Sequence, residues 1–357
     1  MLSSGLMSPN DPSDTTSPAA HAADAGGRPR VFSGVQPTGG LHLGTYLGAL
    51  RQWVLHQHER DNVFCVVDLH ALTVPEDVEP KQLREASREV AALYLACGID
   101  PDENVVFVQS HVREHAELTW LLNCTTPLGW LYRMTQFKSK SEGRESVSTG
   151  LLDYPVLQAA DILLYDTDVV PVGEDQVQHI ELTRDIAQRF NHLFGDTFRL
   201  PRAVVPESGA RVMGFDEPTV KMSKSLARDR DRHAVFLLDR ESRIKKTVMS
   251  AVTDSGREVR FEHASPGVRN LLQILQSLVG EPMDRIEARF EGKGYGDLKK
   301  AVLEAILDTV RPIQERYRDY ASDPAELDAV LARGADRARD HAARTLARAQ
   351  EALGVGA

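Results

Sequence analysis

The stretch VFSGVQPTGGLHLGT, residues 31–45, decides the fold, because it joins a short apolar strand to a helix through a glycine-rich turn. Glycines let the backbone turn tightly and approach a ligand closely. The helix after the turn directs free N–H groups and the positive end of its dipole toward it, which suits a polyphosphate. His42 adds a donor that can reach a phosphate oxygen. The turn is neither a G-x-G-x-x-G fingerprint nor a P-loop, so alone it fits a plain turn equally well.

Strands and helices alternate from this unit onward, and such alternation implies a parallel sheet covered by helices on both faces. The expected fold class is therefore α/β, a Rossmann-like doubly wound parallel sheet. After about residue 253 only helical patterns remain, which predicts a C-terminal all-helical domain. Strands are expected over 31–35, 62–67, 105–109 and 169–172, and helices over 43–58, 82–97, 114–123, 128–137, 155–164, 175–190, 266–280, 283–290, 298–320 and 324–353.

A chain of 357 residues is long enough for two domains. Residues 1–28 are mostly Ser, Pro, Ala, Gly and Asp, which bury too little surface to offset the entropy of ordering. We therefore predict a disordered N-terminal extension there. A Rossmann catalytic domain is predicted over 29–215, a connecting region over 216–252 and the helical domain over 253–357.

The composition of the sequence indicates where in the cell the protein is located. No apolar run approaches the roughly 20 residues that cross a bilayer, and the N-terminal region lacks the basic start and apolar core of a signal peptide. The three cysteines show no paired spacing, so we expect reduced thiols, no structural metal and a cytoplasmic location. A formal net charge of −10 argues against coating nucleic acid by bulk attraction, but it leaves room for a local basic patch.

A second cationic motif, KMSKS, occupies residues 221–225. Two lysines three positions apart, with small polar neighbours, predict a mobile cationic loop rather than a core segment. Alone, the motif fits a solvated charged loop. Together with HLGT at 42–45, in this order and on a Rossmann pattern, it resembles the KMSKS and HIGH signatures of class I aminoacyl-tRNA synthetases.

The resemblance implies that an amino-acid carboxylate attacks the α-phosphorus of ATP and releases pyrophosphate. A carboxylate is already a nucleophile at neutral pH, so the site must align the reactants and stabilise charge rather than supply a base. By resemblance, His42 and its turn hold ATP, while Lys221 and Lys224 close on the pyrophosphate moiety. Lys140 is a further catalytic candidate at the triphosphate. Mg²⁺ carried by ATP would neutralise the remaining charge.

Longer stretches are similar to bacterial tryptophanyl-tRNA synthetases over about residues 31–353, among them VDLHALT at 67–73, LDYPVLQAADIL at 152–163 and VPVGEDQ at 170–176. The resemblance implies a homodimer that activates L-tryptophan with ATP and transfers it to tRNA(Trp). The family's tryptophan-binding positions correspond to Phe32, Gly34, His70, Gln136, Tyr154, Asp161, Val170 and Val172, and its ATP-binding positions to Gln36, Pro37, Thr38, Gly44, Thr45, Lys140, Gly173, Glu174, Asp175, Gln176, Val212, Lys221, Met222, Ser223, Lys224 and Ser225.

Asp161 lies within the apolar run AADILL at 159–164, where a carboxylate is costly unless it meets a donor. The indole N–H is a donor only, so it needs such an acceptor. A phenol also donates, which leaves tyrosyl-tRNA synthetase as the nearest alternative. Two further alternatives are open. One is a small nucleotidyltransferase, which shares the Rossmann core and the HIGH-type turn, and the other is a non-catalytic paralogue that acts as a binding module.

The sequence departs from the family pattern at three places. Thr45 replaces the usual Asn, Gln158 replaces a pocket methionine, and the charged stretch 226–232 lacks the usual Asp-Pro after KMSKS. The helical region resembles the family's anticodon-binding domain, and apolar helices such as 119–122 support a dimer. The sequence does not choose which of the C-terminal arginines would face tRNA; they are Arg333, Arg337, Arg339, Arg344 and Arg348.

Overall fold

The computed structural model describes residues 27–205 and 211–356. The predicted N-terminal extension lies, except for residues 27 and 28, outside the described residues. Within the two described ranges, none of the helices combines the length and the apolar character needed to span a bilayer.

Five parallel strands form one sheet in the order β3-β2-β1-β4-β5. The chain first builds outward from β1 to β3 and then crosses to the other side of β1 for β4. Ligands of open α/β sheets bind at such a reversal, beyond the carboxyl ends of the strands. The strands are β1 (Arg30–Val35), β2 (Asp61–Val66), β3 (Val105–Val108), β4 (Val169–Pro171) and β5 (Arg202–Val204).

The predicted fold class is confirmed, and each of the four predicted strands is present. The sequence analysis missed β5, whose three residues at the sheet edge alternate between exposed and half-buried positions. So short and polar a segment carries almost no periodic signal. Its pairing with β4, from Val169 opposite Arg202 to Pro171 opposite Val204, makes it a strand.

The helical prediction was correct in kind but not in every boundary. Residues 128–137 were expected to form one helix, but they are divided between α5 and α6. Helix α7 begins earlier than predicted because the Ser148 hydroxyl accepts the N–H of Leu151. The α-helices are α1 (Leu43–Thr45), α2 (Arg51–His56), α3 (Pro80–Ala96), α4 (Glu114–Asn123), α5 (Leu128–Leu131), α6 (Thr135–Ser141), α7 (Thr149–Leu163), α8 (Val177–Phe194), α9 (Lys224–Asp229), α10 (Glu241–Met249), α11 (Pro266–Val279), α12 (Met283–Ala288), α13 (Tyr295–Ser322) and α14 (Pro324–Leu353). A π-helical turn (Tyr46–Leu50) joins α1 to α2. The helices α9 and α10 were not predicted.

Both faces of the sheet are buried, as the continuous apolar strands predict. Successive residues of β2 point to opposite faces. Val63 and Cys65 belong to one core cluster, which includes residues of α4, α7, α8 and α14. Phe64 and Val66 belong to the other, which includes residues of α3, α11 and α13. The helices therefore fix the ends of the strands, where the site lies.

Helix α14 returns from the helical region and covers the β3 edge of the sheet. Its residues Ala335, Ala338 and Ala342 share a core cluster with Val63 of β2. At Gly334 the approach is so close that a Cβ atom would lie 1.8 Å from the carbonyl oxygen of Val106. Covering an edge strand in this way protects its unpaired backbone groups. The domain boundary at 253 stays a prediction, but the sheet itself depends on residues beyond 324.

Candidate active site

The turn after β1 is built for close approach to a ligand. The Thr38 N–H donates to the carbonyl oxygen of Gln36 at 2.9 Å, which closes the turn. Gly39 has a φ of +109°, a conformation that side chains rarely adopt. Thr38 and Gly39 are exposed, whereas Pro37 is buried and anchors the turn to the protein. The exposed part of the turn thus lies directly after the carboxyl end of β1.

His42 is the N-cap of α1 and acts as a neutral donor. Its Nδ1 accepts the N–H of Thr45 at 3.2 Å, so the ring proton is on Nε2. Burial, together with the smaller effect of the Lys224 and Lys221 charges, lowers the pKa of His42 to about 4. The ring is consequently uncharged at neutral pH. Gly44 leaves room for it, since a Cβ there would lie 3.0 Å from Nδ1 of His42.

The KMSKS motif contacts the same turn. The Nζ of Lys224 donates to the carbonyl oxygen of Gly39 at 2.9 Å, although the two residues are 185 positions apart. Met222 is buried, and its N–H donates to the carbonyl oxygen of Val212 at 3.0 Å. Ser223 caps α9, while Lys221 and Ser225 are exposed. The two signatures thus converge as predicted, but the motif is anchored at Met222; its mobility stays a prediction.

Glu89 on α3 is a charged neighbour that the sequence analysis missed. Burial lowers the pKa of Lys224 to about 8, and the negative charge of Glu89 opposes this shift. Burial likewise raises the pKa of Glu89, and Lys224 opposes that change. The Glu89 carboxylate lies against the turn, where a Cβ on Gly40 would be 3.4 Å from its Oε1. Nothing in the sequence around Glu89 distinguishes it from the other acidic residues of a solvated helix face.

Asp161 is the centre of a buried hydrogen-bond network. Its side chain is 1% exposed and accepts three hydrogen bonds, from His70 Nε2 at 2.8 Å, Gln109 Nε2 at 2.6 Å and His115 Nδ1 at 2.6 Å. Burial by itself would raise the pKa of Asp161, but the hydrogen bonds from His115 and His70 hold the pKa well below its usual range. A carboxylate has about four acceptor sites, so one remains for a ligand donor.

Gln109, His115 and Tyr165 belong to this network and were not predicted. The Nε2 of His115 lies 2.8 Å from the hydroxyl of Tyr165, whose ring stacks on Phe32 at a centroid distance of 5.7 Å. Gln109 was recognised only as the last residue of a strand. Its position at the carboxyl end of β3 is a weak signal that could have identified it, because polar residues there face the ligand edge of a parallel sheet.

A second group of aromatic and basic side chains adjoins the first. The Tyr154 hydroxyl lies 2.8 Å from Nε2 of His179, and Lys140 Nζ lies 5.0 Å from the Tyr154 ring centre. Burial lowers the pKa of His179 to about 4, and the Lys140 charge contributes to this, whereas Asp175 opposes it. Burial also lowers the pKa of Lys140. The structure therefore groups Lys140 and Tyr154 with His179, and the Asp175 charge acts on the same histidine.

Several predicted site residues have a structural role that is visible without a ligand. Phe32 and Val170 are buried in the core, and Val172 packs against the same cluster. Gly34 lies at the end of β1, where a Cβ would be 2.9 Å from a methyl group of Val67. Val212 holds Met222 through its carbonyl group, while its side chain is buried. Gln36 and Gln136 are half-buried, Gln176 donates to Asp175 at 2.9 Å, and Gly173, Glu174 and Asp175 are exposed after β4.

Across residues 27–205 and 211–356, no three His, Cys, Asp or Glu side chains come together in a way that could hold a metal ion. Cys65 and Cys97 are buried, and Cys124 is exposed; none of the three is in a disulfide.

The sheet, the His42 turn and the lysine motif together define a class I aminoacyl-tRNA synthetase. Residues 24–311 match the family described as tRNA synthetases class I (W and Y), and the chain belongs to that family. Within it, the chain is similar to bacterial tryptophan–tRNA ligases. Tryptophan–tRNA ligase of Caldanaerobacter subterraneus is 53% identical and that of Wolinella succinogenes 50% identical, each over 327 residues that cover 91% of this chain and 98% of the relative.

Solved structures agree with this assignment. Tryptophanyl-tRNA synthetase from Mycoplasma pneumoniae has a TM-score of 0.83 at 36% identity and covers 92% of this chain and 98% of its own. The enzyme from Campylobacter jejuni, complexed with ADP and tryptophan, has a TM-score of 0.80 at 36% identity and covers 91% and 100%. The predicted resemblance is confirmed.

Proposed function

We propose that this protein is a tryptophan–tRNA ligase, which activates L-tryptophan with ATP to tryptophanyl-adenylate and then transfers tryptophan to tRNA(Trp). The observation that carries the proposal is the contact of Lys224 with the His42 turn, beyond the carboxyl ends of the strands, where His70 and Gln109 also meet Asp161 of α7. Family membership supports the reaction, and the identity of about half the residues with tryptophan–tRNA ligases favours tryptophan over tyrosine as the substrate.

ATP binds where the chain offers donors and positive charge. The Nε2–H of the neutral His42 ring, at the N-terminus of α1, donates to a phosphate oxygen. Lys221 and Lys224 neutralise charge that accumulates on the leaving pyrophosphate, which is where stabilisation speeds phosphoryl transfer. Mg²⁺ arrives with ATP as part of the substrate. When ATP binds, the Lys224 ammonium group exchanges its hydrogen bond to the Gly39 carbonyl oxygen for a phosphate oxygen.

Tryptophan binds at the Asp161 network. The fourth acceptor site of the carboxylate takes the indole N–H, and the three protein donors keep the side chain ionised and fixed in orientation. Phe32 and Val170 supply apolar surface for the ring. Tyr154 and Lys140 flank the path to the phosphates, and Lys140 assists there. Phenylalanine, which lacks the donor, would leave the Asp161 acceptor unpaired and is rejected.

The transfer of tryptophan requires bound tRNA, and we propose that the C-terminal helical region binds the tRNA anticodon. Three of the five C-terminal arginines are occupied elsewhere. Arg337 donates to the carbonyl oxygens of Pro101 and Asn104 at 3.0 and 3.1 Å. Arg339 donates to the carbonyl oxygen of His111 at 2.9 Å, and Arg348 pairs with Asp166 at 2.6 Å. These three attach α14 to the sheet domain. The candidates are Arg333 and Arg344, whose partners Glu326 and His341 lie on α14 itself.

Exposed apolar side chains on and next to α4 and α5 support the proposal that the protein is a homodimer. Trp120 is 68% exposed, Leu128 56% and Tyr132 51%, on two consecutive helices. Large apolar side chains that cluster at a surface mark interaction sites. A second copy of this chain covers them in the proposed dimer. The location is cytoplasmic, where tRNA and ATP are both available.

Amino-acid-dependent exchange of pyrophosphate into ATP tests the activity directly. With each of the twenty amino acids supplied in turn, exchange is expected with tryptophan and not with phenylalanine. Charging of tRNA(Trp) by the same preparation tests the second step. Exchange that tyrosine supports better than tryptophan, or no exchange with any amino acid, would refute the proposal.

A further inference from the structure

His233 lies at the junction of the two phosphate-binding segments, and nothing in the mechanism above uses it. Its side chain is 0% exposed, although the preceding residues 230–232 are exposed. Its Nδ1 lies 2.7 Å from Oδ1 of Asp216, and its Nε2 lies 3.3 Å from the carbonyl oxygen of Lys221. Both partners are acceptors only. Each ring nitrogen therefore lies within hydrogen-bond distance of an acceptor.

The chain makes room for this ring. A Cβ atom on Gly214 would lie 2.4 Å from Cε1 of His233, so no larger residue fits there without displacing the ring. Residues around Gly214 also pair with the start of the KMSKS motif. The Gly214 N–H donates to the carbonyl oxygen of Val220 at 2.8 Å, and Met213 forms an antiparallel bridge with Lys221. His233 therefore sits behind a short backbone ladder that supports the first lysine.

The backbone on the other side of His233 supports the ATP turn. The N–H of Leu43 donates to the carbonyl oxygen of Val235 at 2.8 Å, and the N–H of Leu237 donates to the carbonyl oxygen of Leu41 at 2.8 Å. Between them, His42 forms an antiparallel bridge with Phe236. One short segment, 233–237, thus holds the His42 turn through its backbone and the Lys221 carbonyl group through the His233 side chain.

We propose that His233 is a positioning residue for the activation step: by binding Asp216 and the Lys221 carbonyl group together, it holds the KMSKS lysines in register with the His42 turn. The proposal rests on the proposed function, because it concerns the same triphosphate. Without the Nε2 contact, the Lys221 carbonyl group loses its side-chain bond to the segment that supports the ATP turn, and only the backbone ladder holds it. The alignment of the phosphates then suffers, while tryptophan binding at the Asp161 network does not.

Two substitutions separate the two ring nitrogens. In H233Q the side-chain amide N–H reaches the position of Nε2 and keeps the bond to Lys221. In H233N the amide N–H occupies the position of Nδ1 and keeps only the bond to Asp216. E217Q is the matched control, since Glu217 pairs with Arg230 on the adjoining turn and does not contact His233. Each variant is purified as the full chain, and tryptophan-dependent pyrophosphate exchange is measured with ATP and tryptophan varied separately.

We expect H233N to lose about tenfold or more in kcat, with a raised KM for ATP and an unchanged KM for tryptophan, and H233Q to stay within about threefold of the wild type. E217Q should match the wild type. Equal losses in H233N and H233Q, or a KM for tryptophan that rises in parallel, would mean that His233 only fills the core. Wild-type rates in both variants would also overturn the proposal. An inactive wild-type enzyme would instead refute the proposed function itself.

Discussion

Replacing Asp161 with asparagine changes one oxygen to an amide group and leaves the shape of the side chain intact. Two donors, Gln109 and His115, converge on Oδ1, whereas His70 alone contacts Oδ2. The amide oxygen of the variant therefore occupies the Oδ1 side, and the new NH₂ group replaces Oδ2. His70 can turn its Nε2 into an acceptor by changing tautomer. The indole N–H cannot, so it alone loses its partner.

The size of the effect follows from that asymmetry. A hydrogen bond to a charged acceptor contributes about 1.5–3 kcal/mol. Its loss should raise the dissociation constant for tryptophan about 10- to 150-fold, since about 1.4 kcal/mol corresponds to a factor of ten. The dissociation constant for ATP should not change, because the phosphate turn makes none of these contacts. Isothermal titration of each ligand measures both quantities.

Asp153→Asn is the matched control for this substitution. It makes the same chemical change on the same helix, at a half-buried carboxylate that accepts from Asn123 at 2.8 Å and lies outside the Asp161 network. Its tryptophan affinity should equal that of the wild type. If Asp161→Asn leaves tryptophan affinity unchanged, or weakens ATP equally, the assignment of Asp161 to the indole is wrong.

Asp161 also makes a testable contribution to acid stability. Its folded-state pKa is depressed, so between that value and the unfolded pKa of about 3.9 the unfolded chain binds more protons than the folded one. Stability from this group is therefore present above about pH 4 and is lost as the pH falls further. Urea unfolding at a series of acidic pH values should show a shallower decline for Asp161→Asn than for the wild type.

Three further outcomes are expected. Lys224→Ala should lower the rate of tryptophan activation about 100-fold or more with little change in tryptophan affinity, and comparable losses in both would argue against its transition-state role. In the wild type, kcat/KM for ATP should fall about tenfold per pH unit above about 8, the pKa to which burial lowers Lys224, and Lys224→Arg should move that decline to higher pH. Gly334→Ala should destabilise the fold by about 2 kcal/mol or more in urea unfolding, because its Cβ meets the Val106 carbonyl group, whereas Gly296→Ala, with open space around it, should not.

A substitution at Trp120 tests whether the proposed dimer forms through this surface. Trp120→Glu should convert the proposed dimer to a monomer in sedimentation analysis, because a charge cannot be buried against a second copy without a partner. A wild-type monomer, or a variant that still dimerises, would show that this surface is not the interface.

Local pattern was enough to predict most of the helices and strands and to single out several candidate site residues. The alternation of apolar strands with amphipathic helices from β1 to α8 is a property of consecutive residues, so it is readable before folding. The glycine-rich turn and the KMSKS motif were recognisable because several unusual residues stand side by side. Asp161 was recognisable because a carboxylate in an apolar helix conflicts with its surroundings.

The network around Asp161 and the position of α14 could not be predicted in this way. His70, Gln109 and His115 lie 91, 52 and 46 positions from Asp161, and no local pattern shows that the three side chains meet at this carboxylate. The alanine face of α14 is compatible with many apolar surfaces. Its position at the β3 edge depends on the close approach of Gly334 to the backbone of Val106, which lies 228 residues earlier in the chain.

The sequence by itself determined most of the strands and helices, the candidate phosphate-binding turn and lysine motif, and the carboxylate that needs a donor. It could do so because backbone sterics, glycine and local hydrophobic periodicity act over a few residues. Only the tertiary structure decided which donors meet Asp161, which acidic side chain faces Lys224 and which segment joins the two signatures at His233. Those contacts join residues that are distant in the chain, and close packing of the folded core selects among the many pairings that each residue type allows.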